Sequence, residues 1–159
     1  MNLQFDQTFH ELLVGSYQRF VGQRLLPCGL NPEESARWLY ADAAFAVLAH
    51  NTAPDPIFTY GNQAAQRLFE YPWDELIALP SRLSAEAPER EERERFLERV
   101  RADGFVTGYS GVRITKSGAR FRITNATVWQ LVDDEGAHHG QAAALPQWQP
   151  LLSSAVQTG

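Results

Sequence analysis

Pro56-Ile57-Phe58-Thr59-Tyr60-Gly61-Asn62-Gln63-Ala64-Ala65-Gln66-Arg67-Leu68-Phe69 is the stretch that decides the fold. Pro54 and Pro56 flank Asp55 and bar a helix, so the chain enters a short strand over Ile57 to Tyr60. Asn62 then has the side chain of a helix N-cap, and Ala64, Ala65, Leu68 and Phe69 follow at helical spacing as an apolar stripe. Upstream, Ala43 to Ala49 reads as a buried strand, although its alanines leave a helix open. Downstream, a helical turn around Trp73 to Ile77 is interrupted by Pro80.

The helix that follows is the most regular element. Over residues 88–103, Phe96, Leu97 and Val100 share a face, and Glu89/Arg93 and Glu91/Arg95 stand at the i,i+4 spacing of ion pairs. After Gly104 the period changes to two. Val112 and Ile114 alternate with Arg113, and Phe121 and Ile123 alternate with Arg120 and Arg122, around a Lys116-Ser117-Gly118 turn. Residues 133–136 make a second turn and His139 to Leu145 supply a last strand. The order is two strands, several short helices and a three-stranded meander. It predicts an α+β fold with a five-stranded antiparallel sheet in the order 2-1-5-4-3 and helices on one face.

An N-terminal helical extension precedes this unit. Phe5, Phe9, Leu12, Leu13, Tyr17, Phe20 and Val21 recur at helical spacing, predicting an amphipathic helix over residues 4–25 that must bury its stripe against the sheet or a second copy of the chain. Asn31, Pro32 and Glu34 start a second helix. Beyond Pro146 no regular pattern is visible. The expected division is an extension over residues 1–41, a main domain over 42–145 and a tail over 146–159.

The chain has 159 residues, 44% of them hydrophobic and 21% charged, with a formal net charge of -5. That composition suits one domain with its own core. Lys116 is the only lysine, and the arginines of residues 90–101 alternate with glutamates, so no basic surface is expected for nucleic acid. Neither an export leader nor a run long enough to span a membrane is visible, and a cytoplasmic location is expected. The single cysteine, Cys28, excludes an internal disulfide.

Asn62, Ala65, Leu68, Phe69, Tyr71, Glu75, Leu76 and Leu79 resemble the PAS pattern, in which an asparagine opens the first core helix and an aromatic and a Glu-Leu pair follow. Glu70 stands where glycine commonly precedes the aromatic. A narrower resemblance is to the MEKHLA domain, a PAS-related module. It is carried by residues 56–65, by Trp73-Asp74-Glu75-Leu76, by residues 79–86, by Gly111-Val112-Arg113-Ile114-Thr115-Lys116-Ser117-Gly118 and by residues 122–129. The resemblance implies a PAS-like fold and a general association with sensing, and it supplies no catalytic set.

The expected function is a sensory or small-molecule-binding module, with a possible ligand between helices and sheet and a homodimer through the N-terminal helix or the sheet. Candidate ligand contacts are Asn62, Leu68 and Phe69 in the first core helix, and Val112, Ile114, Phe121 and Ile123 on the hairpin. Asn125 and Thr127 share the pleat face of Phe121 and Ile123 if no bulge intervenes, and either line a polar end of the cavity or bond within the sheet. Arg82 would hold a carboxylate, or else pair with Glu86 or Glu75. Gln141 is reminiscent of the glutamine that reads flavin in blue-light PAS domains. Those domains also carry a cysteine in the helical region, and haem-binding ones a histidine; residues 63–103 contain neither, so no cysteinyl-flavin adduct and no haem are expected. His138 and His139 point to opposite faces of a strand and are poorly placed to chelate one metal. Two rivals remain: a small α+β enzyme with a cone-shaped pocket, whose acid or base would be Asp42 or His50, and a structural dimerisation module.

Overall fold

The computed structural model describes residues 3–151, apart from the side chains of residues 87–89. Helix α1 (Gln7–Val21) starts where the Asp6 carboxylate accepts the Phe9 amide at 2.8 Å and stops at Gly22, whose φ of 79° is left-handed. The expected helix over 4–25 is therefore shortened at both ends. Helix α2 (Pro32–Arg37) opens with the reciprocal Asn31 and Glu34 capping bonds and runs into one wide π-type turn, Trp38–Asp42, closed by the Ala43 amide on the Trp38 carbonyl.

Strands β1 (Ala46–His50) and β2 (Phe58–Gly61) lead into α3 (Gln63–Phe69), α4 (Trp73–Leu76), a 3-10 turn over Ser81–Ser84 and the long helix α5 (Ala87–Asp103). Asn62 caps α3 as expected, accepting the Ala65 amide. At its other end Glu70 takes a φ of 67°, the left-handed conformation that glycine adopts freely at this position in the resembled pattern. Its carboxylate accepts the Ser117 amide at 3.2 Å, so the residue that departs from the pattern ties α3 to the hairpin turn. Lys116 of the same turn pairs with Glu75 at 2.6 Å.

Strands β3 (Phe105–Ile114), β4 (Arg120–Val132) and β5 (His138–Leu145) complete an antiparallel sheet in the order β2-β1-β5-β4-β3. A sixth strand, β6 (Gln147–Pro150), lies in what sequence alone left as an unpatterned tail. It continues past Pro146 along β4, pairing Trp148 with Ile123. Prolines at 146 and 150 and the absence of alternation hide so short a strand.

Two bulges set the faces of the sheet. Between the Val106/Val128 and Tyr109/Ala126 pairs β3 carries one extra residue, and between Tyr109/Ala126 and Gly111/Ile123 the extra residue is on β4. Gly108 and Asn125, with φ of 68° and 57°, supply the left-handed residues of those two segments. Their effect is a correction to the expected faces. Phe121 and Ile123 share the core side with Ala126 and Val128, whereas Asn125 is exposed and Thr127 falls with Trp129 on the opposite side. On β3 the expected polarity is also inverted: Tyr109 and Arg113 are buried, while Val112 and Ile114 stand half-buried on the other face.

The sheet thus separates two apolar layers. One, with Leu48, Phe58, Phe69, Leu97, Val100 and Ile123, fills the space under α3 to α5. The other, with Leu13, Leu39, Val47, Trp129 and Leu131, is roofed by α1 and the turn after α2. The expected docking of α1 on the sheet occurs within one chain. Leu13 and Ser16 are fully buried, and Ser16 bonds both the amide and the carbonyl of Val132. Phe5 remains half exposed, its ring edge-on to Tyr40.

Candidate functional site

A cavity of about 60 Å³ lies between α5 and the inner face of the sheet. Helix α5 contributes Arg93, Phe96 and Leu97, β3 contributes Tyr109 and Arg113, and β1 and β5 close it with His50 and Gln141, which are paired across their ladder. Phe69, Ile123 and Val128 line the apolar end. The volume matches about two waters' share of the liquid.

Arg93 and Arg113 are 5% and 8% exposed. Burying a guanidinium is costly unless its charge and donors are answered. Arg93 donates to the Ser81 hydroxyl at 2.7 Å, and the nearest carboxylate among the described residues is Glu94 at 3.7 Å. Arg113 donates to the Val112 carbonyl and, at 3.2 Å, to the Tyr109 hydroxyl, and no described carboxylate lies within 4 Å of it. Burial, followed by the repulsion of Arg113, pushes the Arg93 guanidinium down to about 10, so it stays charged at neutral pH. Gly111 makes this possible. A β-carbon there would stand 2.6 Å from the Tyr109 hydroxyl and 3.1 Å from Arg113 Nη1, so the bare backbone is the floor on which both side chains lie. Tyr109 also stacks on Phe96, with ring centroids 3.7 Å apart.

Opposite the arginines are two acceptors. His50 Nδ1 lies 2.9 Å from the Asn51 carbonyl oxygen, which accepts only, so Nδ1 carries the proton and Nε2 is left with a lone pair. Gln141 donates to the Leu97 carbonyl at 3.3 Å. His50 Nε2 and Gln141 Oε1 are both buried without a hydrogen bond. Burial holds the His50 ring below its ordinary 6.5, outweighing the Asn51 carbonyl, which favours the charged ring, as does the neighbouring Gln141 amide, while Arg93 disfavours it.

Of the residues expected at a ligand, the fold brings Phe69, Ile123 and Gln141 to the cavity. Asn62 is corrected to a structural hub. Its oxygen accepts the Val47 and Ala65 amides and its nitrogen donates to the Leu39 and Phe45 carbonyls, each at 3.0 Å, which uses its bonding capacity. Arg82 is exposed and bonds Asp55 at 3.1 Å, neither Glu75 nor Glu86. Leu68 and Phe121 pack in the core behind a surface cleft on the far side of α3. Val112, Ile114, Asn125 and Thr127 are turned off the cavity face as described above. Asp42 is exposed, and His139 pairs with Asp133 at 2.8 Å on the surface.

The two buried arginines were missed, and one left a signal. Arg93 precedes Phe96, Leu97 and Val100 by three, four and seven residues, which places it on their face of α5. Pairing it with Glu89 on solvent grounds overrode that spacing; the Glu89 side chain lies outside the described residues. Arg113 is the outward member of the expected alternation, but the unbroken register from Gly111 to Ile114 pairs it with Phe121 and so puts it on the core side.

No functionally curated protein matches the chain. Among solved structures, an RNA-binding Light-Oxygen-Voltage receptor is similar over 76% of this chain, with a TM-score of 0.61 and 22% identity; the chain spans 34% of that receptor's length. A fungal LOV domain photoreceptor is similar over 92% of this chain and 99% of its own, with a TM-score of 0.56 and 18% identity. The PAS domain of a protein from Colwellia psychrerythraea is similar over 70% and 90%, with a TM-score of 0.56 and 15% identity. These likenesses are of fold. The family model of the MEKHLA domain matches residues 7–150, spanning both apolar layers and the cavity between α5 and the sheet, and the chain belongs to the MEKHLA domain family.

Proposed function

We propose that the protein is a sensory module that binds a small molecule in the cavity under α5 and reports its presence through the sheet to α1. The observation that carries this reading is the placement of successive β4 residues: Val128 lines the cavity, and Trp129, on the opposite face, holds α1. A resident that displaces the cavity wall therefore acts directly on the strand that seats the helix.

The rivals fit less well. An enzyme of the cone-shaped kind needs proton-transfer groups in the pocket; Asp42 is exposed, and among the described lining residues His50 is the candidate base, with no Asp or Glu to partner it. A dimerisation module needs an apolar surface, and α1 has its stripe on its own sheet, leaving Phe5 and Trp148 as the exposed large apolar side chains among the described residues. The similar LOV proteins are a photoreceptor and a receptor by name, but about 60 Å³ is far below the roughly 300–1,000 Å³ of typical cofactor sites, which favours a resident much smaller than flavin. A cytoplasmic location belongs to the same reading; no described helix is long and apolar enough to cross a membrane.

Native mass spectrometry of protein purified from its own host is the test, combined with hydrogen exchange of α1. A retained small molecule whose removal loosens α1 is expected. A bare mass, together with α1 exchange that no added small molecule alters, refutes the reading.

A further inference from the structure

The cavity's polar groups fall into two sets. Arg93 and Arg113 bring buried positive charge and spare N–H donors from one side, and among the described residues no carboxylate reaches into the cavity to answer them. His50 Nε2 and Gln141 Oε1 bring lone pairs without donors from the other. Each buried orphan costs free energy, and with the neutral ring's proton on Nδ1 the neighbouring His50 Nε2 and Gln141 Oε1 are both acceptors, so neither answers the other. Waters alone answer the acceptors but bring no charge to Arg113, which has no described carboxylate within 4 Å, or to Arg93, whose nearest described carboxylate is Glu94 at 3.7 Å. A molecule that satisfies both sets carries a negative charge at one end and an O–H donor at the other, and it must be only a few heavy atoms long.

We propose that the cavity is a recognition site for a short hydroxycarboxylate, its carboxylate held by Arg113 and Arg93 and its hydroxyl donating to His50 Nε2 or Gln141 Oε1. The inference rests on the ligand-binding reading above and names the class of ligand. A guanidinium presents parallel N–H groups that match a carboxylate. The Tyr109 hydroxyl bonded to Arg113 fixes the plane of that guanidinium, and the Phe96 ring stacked on Tyr109 fixes the tyrosine.

Glycolate, its neutral isostere glycolamide and acetate are the probes, titrated into the full chain at constant ionic strength in chloride. The readouts are melting temperature and the arginine Nε–H resonances. Glycolate is expected to raise the melting temperature in a saturable way and to shift the Arg93 and Arg113 signals. Glycolamide is expected to do neither, and acetate to bind more weakly for want of the hydroxyl. Arg113→Gln should weaken glycolate about 10- to 100-fold, and Arg113→Lys should lose less. If that variant fails to fold, the comparison of glycolate with glycolamide on the unaltered chain still decides. Equal binding of glycolamide, or unchanged glycolate affinity in a folded Arg113→Gln protein, overturns the hydroxycarboxylate assignment while leaving a small-molecule site. No response to any probe, with a bare mass from the native host, removes both.

Discussion

The indole N–H of Trp129 donates to the carbonyl oxygen of Leu13 at 3.1 Å, joining the middle of α1 to the C-terminal half of β4 across 116 residues of chain. Leu13 is itself completely buried, and Tyr17, one helical turn on, sets its ring edge-on to the same indole at 4.8 Å. An amphipathic helix of fifteen residues is marginal alone in water, so this seat holds α1 in place.

Leu13→Ala is expected to cost about 2–5 kcal/mol, because it removes buried methyl groups and leaves a void against Trp129. Ser16→Ala strands the amide and carbonyl of Val132 and should cost about 1–3 kcal/mol. The two sites share one helical turn, so their effects should not add. Urea unfolding followed by tryptophan fluorescence measures all three values, and additive losses would mean that α1 is seated by independent contacts.

Asn62 ties four backbone segments together from a position with no solvent exposure. Asn62→Asp keeps the size but turns a carboxyl oxygen toward the Leu39 and Phe45 carbonyls, where a donor is required. A loss of more than about 3 kcal/mol is expected, exceeding that for a cavity residue such as Phe69→Leu. Equal stability of Asn62→Asp and the parent in chemical denaturation would contradict the assignment of Asn62 to structure.

Gly140 sits on β5 with a φ of 124°, and a β-carbon there collides with the backbone carbonyl of His50. Backbone on both sides leaves no flexible atom to yield. Gly140→Ala should therefore separate β1 from β5 beside the cavity, and amide exchange at Ala49 to Asn51 should rise well above that of the parent. Protection that stays unchanged would mean the strands tolerate the methyl group.

Acid should weaken the fold through histidine. Burial lowers both His50 and His10 below 6.5, so between that value and the folded-state value the unfolded chain binds more protons. The stabilising contribution is complete above about pH 6.5 and is lost as pH falls through the folded-state values. His50→Gln should flatten part of this dependence. Stability measured by urea at pH 7.5 and 5.0 gives the comparison; an identical slope in parent and variant would show that His50 carries none of it.

Much of the architecture is legible because local signals agree with it: the Asn62 cap, the Asn31 and Glu34 capping box, the α5 stripe and the turn after Ile114 all recur in the structure. The site is less legible. A hydrophobic pattern identifies a core face by its apolar members, so it discards Arg93 and Arg113, whose value is that they are buried and charged. The phase of β3 and β4 depends on two left-handed residues, and nothing in the composition of the alternation announces where its parity changes. Strand β6 escapes for a different reason: its partners are set by β4, with little in its own four residues to specify a strand.

The compensating extra residues around Gly108 and Asn125 carry a genetic consequence. Deleting Gly108 alone leaves equal steps on both strands between the Val106/Val128 and Tyr109/Ala126 pairs, and deleting Asn125 alone does so between Tyr109/Ala126 and Gly111/Ile123, so each removes one bulge and keeps the flanking residues on their faces. Each lesion is thus absorbed within its own bulge, so the two should act independently, and a hairpin shortened at both sites should keep the pairing of Val106 with Val128 and of Gly111 with Ile123.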